Sequence, residues 1–273
     1  FIYVLFLVPL RLAFALLVAM LLNKNTVLPA APAAKPVQYA LKALRRDLDR
    51  VFSATEAPGG RVLLNVNDTL AAEQYVLTAG ADTLLLSAAD DLGFVYGLFE
   101  ISRRYLGVQP FWFWNDQSFT VWEGVTIDPG TVVESKPYKV KYRGWFVNDE
   151  TLLSHWKVER RSDLPFIMAF EALLRLGGNM VIPGTGKNGL RYRRTAADMG
   201  LIITHHHAEP LGAEMFAQAY PDLEPMYSKY PEKFRALWQA GIDAQKDMRV
   251  VWNIGFRGQG DRPFWDDDPQ YDT

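Results

Sequence analysis

From Val37 onward, apolar residues recur at helical spacing. Val37, Leu41, Leu44, Leu48, Val51 and Phe52 follow a 3.6-residue period and predict a helix. Pro58-Gly59-Gly60 breaks that pattern. Three strands are predicted next, over residues 61–66, 74–78 and 83–87, the last two joined through Ala79-Gly80-Ala81-Asp82. A second helix is predicted over 92–106, with Val95, Leu98, Phe99, Ser102 and Tyr105 on one face. Asp90-Asp91 stand where an acidic cap would favour the positive end of that helix. After it, Phe111-Trp112-Phe113-Trp114, read as extended chain, would place Trp112 and Trp114 on one face, for packing or for a sugar. These elements predict a small α/β domain over residues 37–136.

Beyond Ser135-Lys136-Pro137 the pattern changes to alternating strands and helices. Strands are predicted over 142–147, 179–182, 201–204 and 249–254, and helices over 164–176, 190–199 and 231–247. Such alternation argues for a parallel sheet. Polar and glycine-rich residues follow every strand: Asn148-Asp149-Glu150, then Pro183-Gly184-Thr185-Gly186-Lys187, then His205-His206-His207-Ala208-Glu209, then Arg257-Gly258-Gln259-Gly260-Asp261. In a (β/α)₈ barrel the active site forms on that face. A doubly wound open sheet also binds ligands at its strand ends, so the pattern alone leaves both architectures open. No dinucleotide fingerprint or P-loop follows a strand. A full barrel takes about 250 residues. Residues 137–273 are therefore expected to be its N-terminal half, inactive by itself because an isolated half leaves open sheet edges.

The first 22 residues are almost wholly apolar, interrupted by Pro9 and Arg11, and the chain begins with Phe1. With the Ala/Pro-rich run that follows, residues 1–36 are expected to be a signal or anchor-like segment and linker. A secreted, periplasmic or cell-surface location would follow. Spurious upstream translation and a buried helix are the alternatives. The net charge of −2 gives no support for nucleic-acid binding. The absence of cysteine excludes disulfide and thiolate chemistry. Eight Trp within 13% aromatic residues fit either a large aromatic core or a sugar-handling surface.

The candidate chemistry lies at the predicted strand ends. In extended chain His205 and His207 would point one way and His206 the other. Sugar binding is the favoured role for these histidines, with zinc ligation alongside Glu209 or structural packing as alternatives. Asp149 is a candidate site residue. Asp261 sits in a glycine-permissive loop that a ligand could approach. Arg257 suits bidentate recognition of a carboxylate, or pairing with Asp266, Asp267 and Asp268, which read as a solvated turn.

These motifs together resemble glycoside hydrolase family 115. The resemblance is carried by YRGWFVNDE (142–150), HHHAEP (205–210), WQAGIDAQKDMRVVWNIGFRGQGD (238–261) and VQPFWFWND (108–116). The segment 73–108 also resembles the small domain that precedes the barrel in β-hexosaminidases and α-glucuronidases. The family resemblance implies an inverting hydrolase that removes α-1,2-linked (4-O-methyl)glucuronic acid from glucuronoxylan, with no cofactor or metal. It implies substrate-site roles for Asn148, Asp149, His206 or His207 and Arg257, and a catalytic carboxylate at Asp261; Glu209 is also expected to bind substrate. A second acid is expected beyond Thr273, and a homodimer through C-terminal domains beyond this sequence. The family often has His-His-Glu-Pro and Arg-Gly-Asp-Gly-Asp. Here Ala208 intervenes in the first motif and Gln259 replaces an acid in the second. Another acidic glycan, or a non-catalytic glycan-binding role, is the alternative.

Overall fold

The structure is a computed structural model, and it describes residues 19–30, 34–153, 155–255, 257–259 and 262–271. It is a mixed α/β chain that separates into two compact units. One runs to Lys141 and takes in Leu174–Gly177; the other holds Tyr142–Leu173 and Gly178–Thr273. Among the described residues no helix is long and apolar enough to cross a membrane.

In the first unit, strand β1 (Met20–Leu22) is followed by helix α1 (Lys35–Val51), strands β2 (Arg61–Val66), β3 (Tyr75–Ala79) and β4 (Thr83–Ala88), and helix α2 (Asp91–Tyr105). Strands β5 (Val125–Ile127) and β6 (Val132–Glu134) complete it. Helix α1 starts with Pro in its first turn, where a missing N–H costs nothing, and buries Val37, Leu41, Leu44, Leu48 and Val51 along one stripe. The main sheet has the order β2-β4-β3-β6, with β2 and β4 parallel and the other pairs antiparallel. Strand β4 alternates half-buried and buried residues, turning Leu84, Leu86 and Ala88 into the core. Helix α2 can lie close to the sheet because Gly97 has no Cβ, which would collide with Leu86. Asp90 caps α2: its carboxylate accepts from the N–H groups of Gly93 at 2.8 Å and Glu73 at 2.9 Å.

Two expectations fail in this unit. Met20–Leu22, grouped by sequence with the apolar leader, is a strand paired antiparallel to β5, with Met20 and Leu22 fully buried. The end of the apolar run thus contributes to the core. Residues 1–18, which carry the rest of that expectation, lie outside the described residues, as do residues 31–33. Trp112 and Trp114 are not in extended chain. Residues 111–116 form turns, with Asn115 N–H donating to the Phe111 carbonyl at 2.9 Å, so strand alternation does not apply. Trp112 instead carries the guanidinium groups of Arg46 and Arg50 on its ring, at 4.6 and 4.2 Å from the centroid.

The second unit begins with β7 (Gly144–Phe146), α3 (Leu164–Arg175), β8 (Met180–Ile182), α4 (Gly186–Asp198) and β9 (Ile202–Ile203). Strands β7, β8 and β9 lie side by side in chain order, all parallel, with β8 in the middle. The helices return the chain between them, as parallel pairing requires. Val181 and Ile203 are fully buried, and Phe166 of α3 stacks on Tyr192 of α4 at 4.0 Å. A 3₁₀ turn (Pro210–Gly212), short helices α5 (Phe216–Ala219) and α7 (Phe264–Asp267), and helix α6 (Pro231–Asp243) follow. Phe216 stacks on Phe234 of α6 at 4.3 Å, and Tyr227 stacks on Trp238 at 5.7 Å. Much of the aromatic content of this stretch is therefore packing.

The predicted fourth strand over 249–254 is reduced to one parallel bridge between Ile203 and Val250. Past it the Asn253 side chain donates to the His206 carbonyl at 3.0 Å and accepts from Gly255 N–H at 3.1 Å, replacing ladder bonds with local ones. Helix α6 ends at Asp243, where 247 was expected, and Gln245 beyond it turns its side chain back onto the Gly241 carbonyl at 2.9 Å. Helix α4 starts four residues before the expected 190, for a reason that lies in the site. The acidic run near the end is not a solvated turn. Asp268 is buried and accepts from Ser228 N–H at 2.7 Å and its hydroxyl at 2.8 Å, while Asp267 pairs with Arg262 at 2.5 Å.

Candidate functional site

The carboxyl ends of β7, β8 and β9 open onto one cavity of about 700 Å³ in the second unit. Strand β7 supplies Phe146 and, beyond its end, Asn148, Asp149 and Glu150. The β8 end supplies Thr185 through Asn188, and the β9 end His206, His207 and Ala208. Met215 and Gln218, at the short helix α5, close the remaining side.

Asp149 is 1% exposed, and its carboxylate is engaged by the chain itself. Oδ1 accepts from Thr185 N–H at 2.8 Å and from the Thr185 hydroxyl at 3.1 Å, and Oδ2 accepts from Asn188 Nδ2 at 2.5 Å. Gly184, at φ 131°, lets the backbone pass this carboxylate: a Cβ there would stand 3.3 Å from Oδ1, in a conformation L-residues rarely adopt. Glu209 Oε1 accepts from the next N–H, that of Gly186, at 2.5 Å. Two acids from two other strand ends thus hold the N–H groups of the N-cap Thr185 and of Gly186, the first residue of α4. This explains why the helix begins at Gly186, since tertiary carboxylates satisfy donors that a helix start leaves open. Sequence periodicity contains no trace of such partners.

Glu209 is buried, and its pKa is pushed up from 4.5 to about 7. Desolvation is the main cause. The Gly186 N–H and Arg193 oppose it, and the charges of Asp149 and Glu150 add to it. Arg193 is itself held below its ordinary value by burial, and its guanidinium donates to the Gly212 carbonyl at 2.8 Å.

The histidines do not alternate as extended chain would, because β9 ends at Ile203 and a turn begins by His207. His205 turns inward. Its Nε2 lies 2.8 Å from Gln245 Oε1. Gln245 Nε2 already donates to the Gly241 carbonyl, so Oε1 is the acceptor and His205 carries its proton on Nε2. Burial lowers the pKa of His205, which favours this neutral ring. His206 and His207 lie ring to ring at 3.9 Å and both face the cavity, with Phe146 5.5 Å from His206. Among the described residues no group of three or more His, Asp or Glu side chains is gathered for a metal ion.

The structure therefore brings Asn148, Asp149, His206 and His207 into one wall. Glu209, expected to touch substrate, stands outside that wall, with its carboxyl buried on the backbone of α4. Arg257 is half-buried and also outside the wall, and Asp261 lies outside the described residues. The sequence placed Lys187 beyond the second strand without giving it a role, and it did not single out Asn188 or Gln218. Lys187 and Asn188 stand in the first turn of α4, just past the loop that leaves β8, and a place beyond a strand end is the signal that could have selected them. Gln218 lies in the stretch between the third strand and α6, for which no element was predicted.

The glycosyl hydrolase family 115 model matches residues 135–271. No curated protein sequence matches the chain. Among solved structures, a family GH115 4-O-methyl-α-glucuronidase with specificity for decorated arabinogalactans is similar at TM-score 0.71 and 21% identity. The match covers 89% of this chain and 37% of that one. A Flavobacterium johnsoniae chitobiase is similar at TM-score 0.54 and 15% identity, over 92% of this chain and 44% of that one. At these identities the likeness is one of fold, and the chain spans less than half the length of either structure. With the family model covering half of its length, the chain belongs to glycosyl hydrolase family 115.

Proposed function

We propose that the protein is a glycoside hydrolase acting on glycans decorated with glucuronic acid. Family membership supports the class of reaction. The observation that carries the reading to this chain is the convergence of three successive strand ends on one polar cavity. It offers amides for sugar hydroxyls, an aromatic ring for the sugar's apolar face, and charged groups. The three-stranded parallel sheet with helical returns is, on this reading, the first part of a (β/α)₈ barrel, whose catalytic groups stand at that face.

The finer proposal is inverting removal of α-1,2-linked (4-O-methyl)glucuronic acid from glucuronoxylan. Asp261 is half of an acid/base pair whose other member comes from a later strand. In an inverting glycosidase one carboxylic acid protonates the departing oxygen and a carboxylate activates water across the ring. The two stand about 6.5–9.5 Å apart. A polymeric substrate of this kind places the enzyme outside the cytoplasm. Arabinogalactan decorated with glucuronic acid is the second reading, favoured by the specificity of the structurally similar glucuronidase.

The test is incubation of the full-length protein, and of its Asp261→Ala variant, with glucuronoxylan and with decorated arabinogalactan, followed by chromatography of the released sugar. Release of free (4-O-methyl)glucuronic acid from xylan, lost in the variant, is expected. Release from arabinogalactan alone would select the second substrate. No release from either by a folded protein would overturn the reading.

A further inference from the structure

We propose that Lys187 is the residue that recognises the carboxylate of the sugar, and so sets the preference of this cavity for a uronic acid over a neutral hexose. The proposal rests on the glucuronic-acid reading above and names the group that would enforce it.

Lys187 lines the cavity in the first turn of α4, and its side chain is exposed. It is the one lysine or arginine among the described residues of the wall. Its ammonium makes no ion pair or hydrogen bond with any described residue, whereas neighbouring polar groups are spent within the fold. The Asp149 carboxylate is held by Thr185 and Asn188. The N–H groups of Thr185 and Gly186 are held by Asp149 and Glu209. The start of α4 therefore has no spare donor at those positions for a ligand anion, and the available positive charge is the side chain of Lys187.

The other cations are less well placed. Arg193 is half-buried and donates to the Gly212 carbonyl, and Arg257 stands outside the wall. His206 and His207 do face the cavity, but histidine changes charge with pH across a range in which lysine does not. The remaining wall groups suit the rest of a sugar. Asn148, Asn188 and Gln218 are neutral amides able to donate to and accept from hydroxyls. Glu150 is exposed in the same wall and would repel a carboxylate, which makes a cation there the more necessary. The backbone carrying Lys187 is also preorganised. Asp149 and Glu209 fix the peptide groups just before it, so the lysine stem starts from a rigid point.

The experiment is calorimetric titration of the full-length protein with glucuronic acid and with glucose, neither of which can be hydrolysed, for wild type, Lys187→Met and Lys187→Arg. Circular dichroism checks folding. A hydrogen bond to a charged group supports a preference of about 10- to 100-fold. Wild type is expected to favour glucuronic acid by about that factor. Lys187→Met should lower the preference to about onefold, and Lys187→Arg should keep most of it. A folded Lys187→Met protein that retains the wild-type preference would overturn the assignment while leaving the glucuronic-acid reading in place. A wild-type protein with no preference, or with no binding of either sugar, would overturn both.

Discussion

Replacing Glu209 with glutamine isolates the electrostatic cost of the buried acid at the start of α4. In the folded chain burial raises the carboxyl pKa from 4.5 to about 7. Below about pH 4.5 both folded and unfolded chains hold the proton, and the group adds no pH dependence. Between about pH 4.5 and 7 the unfolded chain ionises while the folded chain keeps its proton. The folded state then binds more protons, so stability falls as pH rises through this window, and the loss is complete above about pH 7. At 1.36 kcal/mol per pKa unit, a rise from 4.5 to about 7 corresponds to about 3 kcal/mol. Glutamine keeps a carbonyl oxygen for the Gly186 N–H and does not ionise. Glu209→Gln should therefore match wild type near pH 4.5 and exceed it by about 3 kcal/mol at pH 8. Urea unfolding of both proteins, followed by tryptophan fluorescence at the two pH values, measures the difference directly. A difference that is the same at pH 4.5 and pH 8 would refute the assignment of a proton to Glu209.

Three further outcomes test other parts of the fold. Asp149→Asn should destabilise the second unit by about 1–3 kcal/mol, because its new amide opposes Asn188 Nδ2 where an acceptor stood. Adding Asn188→Asp restores a donor–acceptor pair, so the double variant should recover most of the loss in the same unfolding assay. Asp90→Ala should cost about 1–2 kcal/mol, read as a lower midpoint of thermal unfolding by circular dichroism, since it removes the cap of α2 and the bond to Glu73 N–H. Leu86→Ala should cost about 2–5 kcal/mol by urea unfolding, because its fully buried side chain fills the space against Gly97 of α2.

Legibility varied with the range of the forces involved. Helices α1 and α2 and strands β2, β3 and β4 were readable within one or two residues, because each carries its own apolar period, breaker or cap. The strand-end rule found Asn148, Asp149, His206 and His207, and these four share one wall. It did not separate Asp149 and Glu209, two acids of similar local appearance. One lines the cavity with its oxygens engaged, while the other stands outside it, on the α4 backbone with a raised pKa. Nor could alternation orient the three histidines, since the strand stops before them.

What the amino-acid order determined by itself was local. It set which stretches bury one face, where glycine and proline stop them, and which polar residues follow each strand. Tertiary structure decided which of those polar groups remain available to a ligand. The start of α4 depends on acids from two other strand ends and the neutral tautomer of His205 on Gln245 past α6, while the Lys187 ammonium stays exposed on the cavity wall. Hydrogen bonds and desolvation act between groups that only the folded chain brings within about 3 Å.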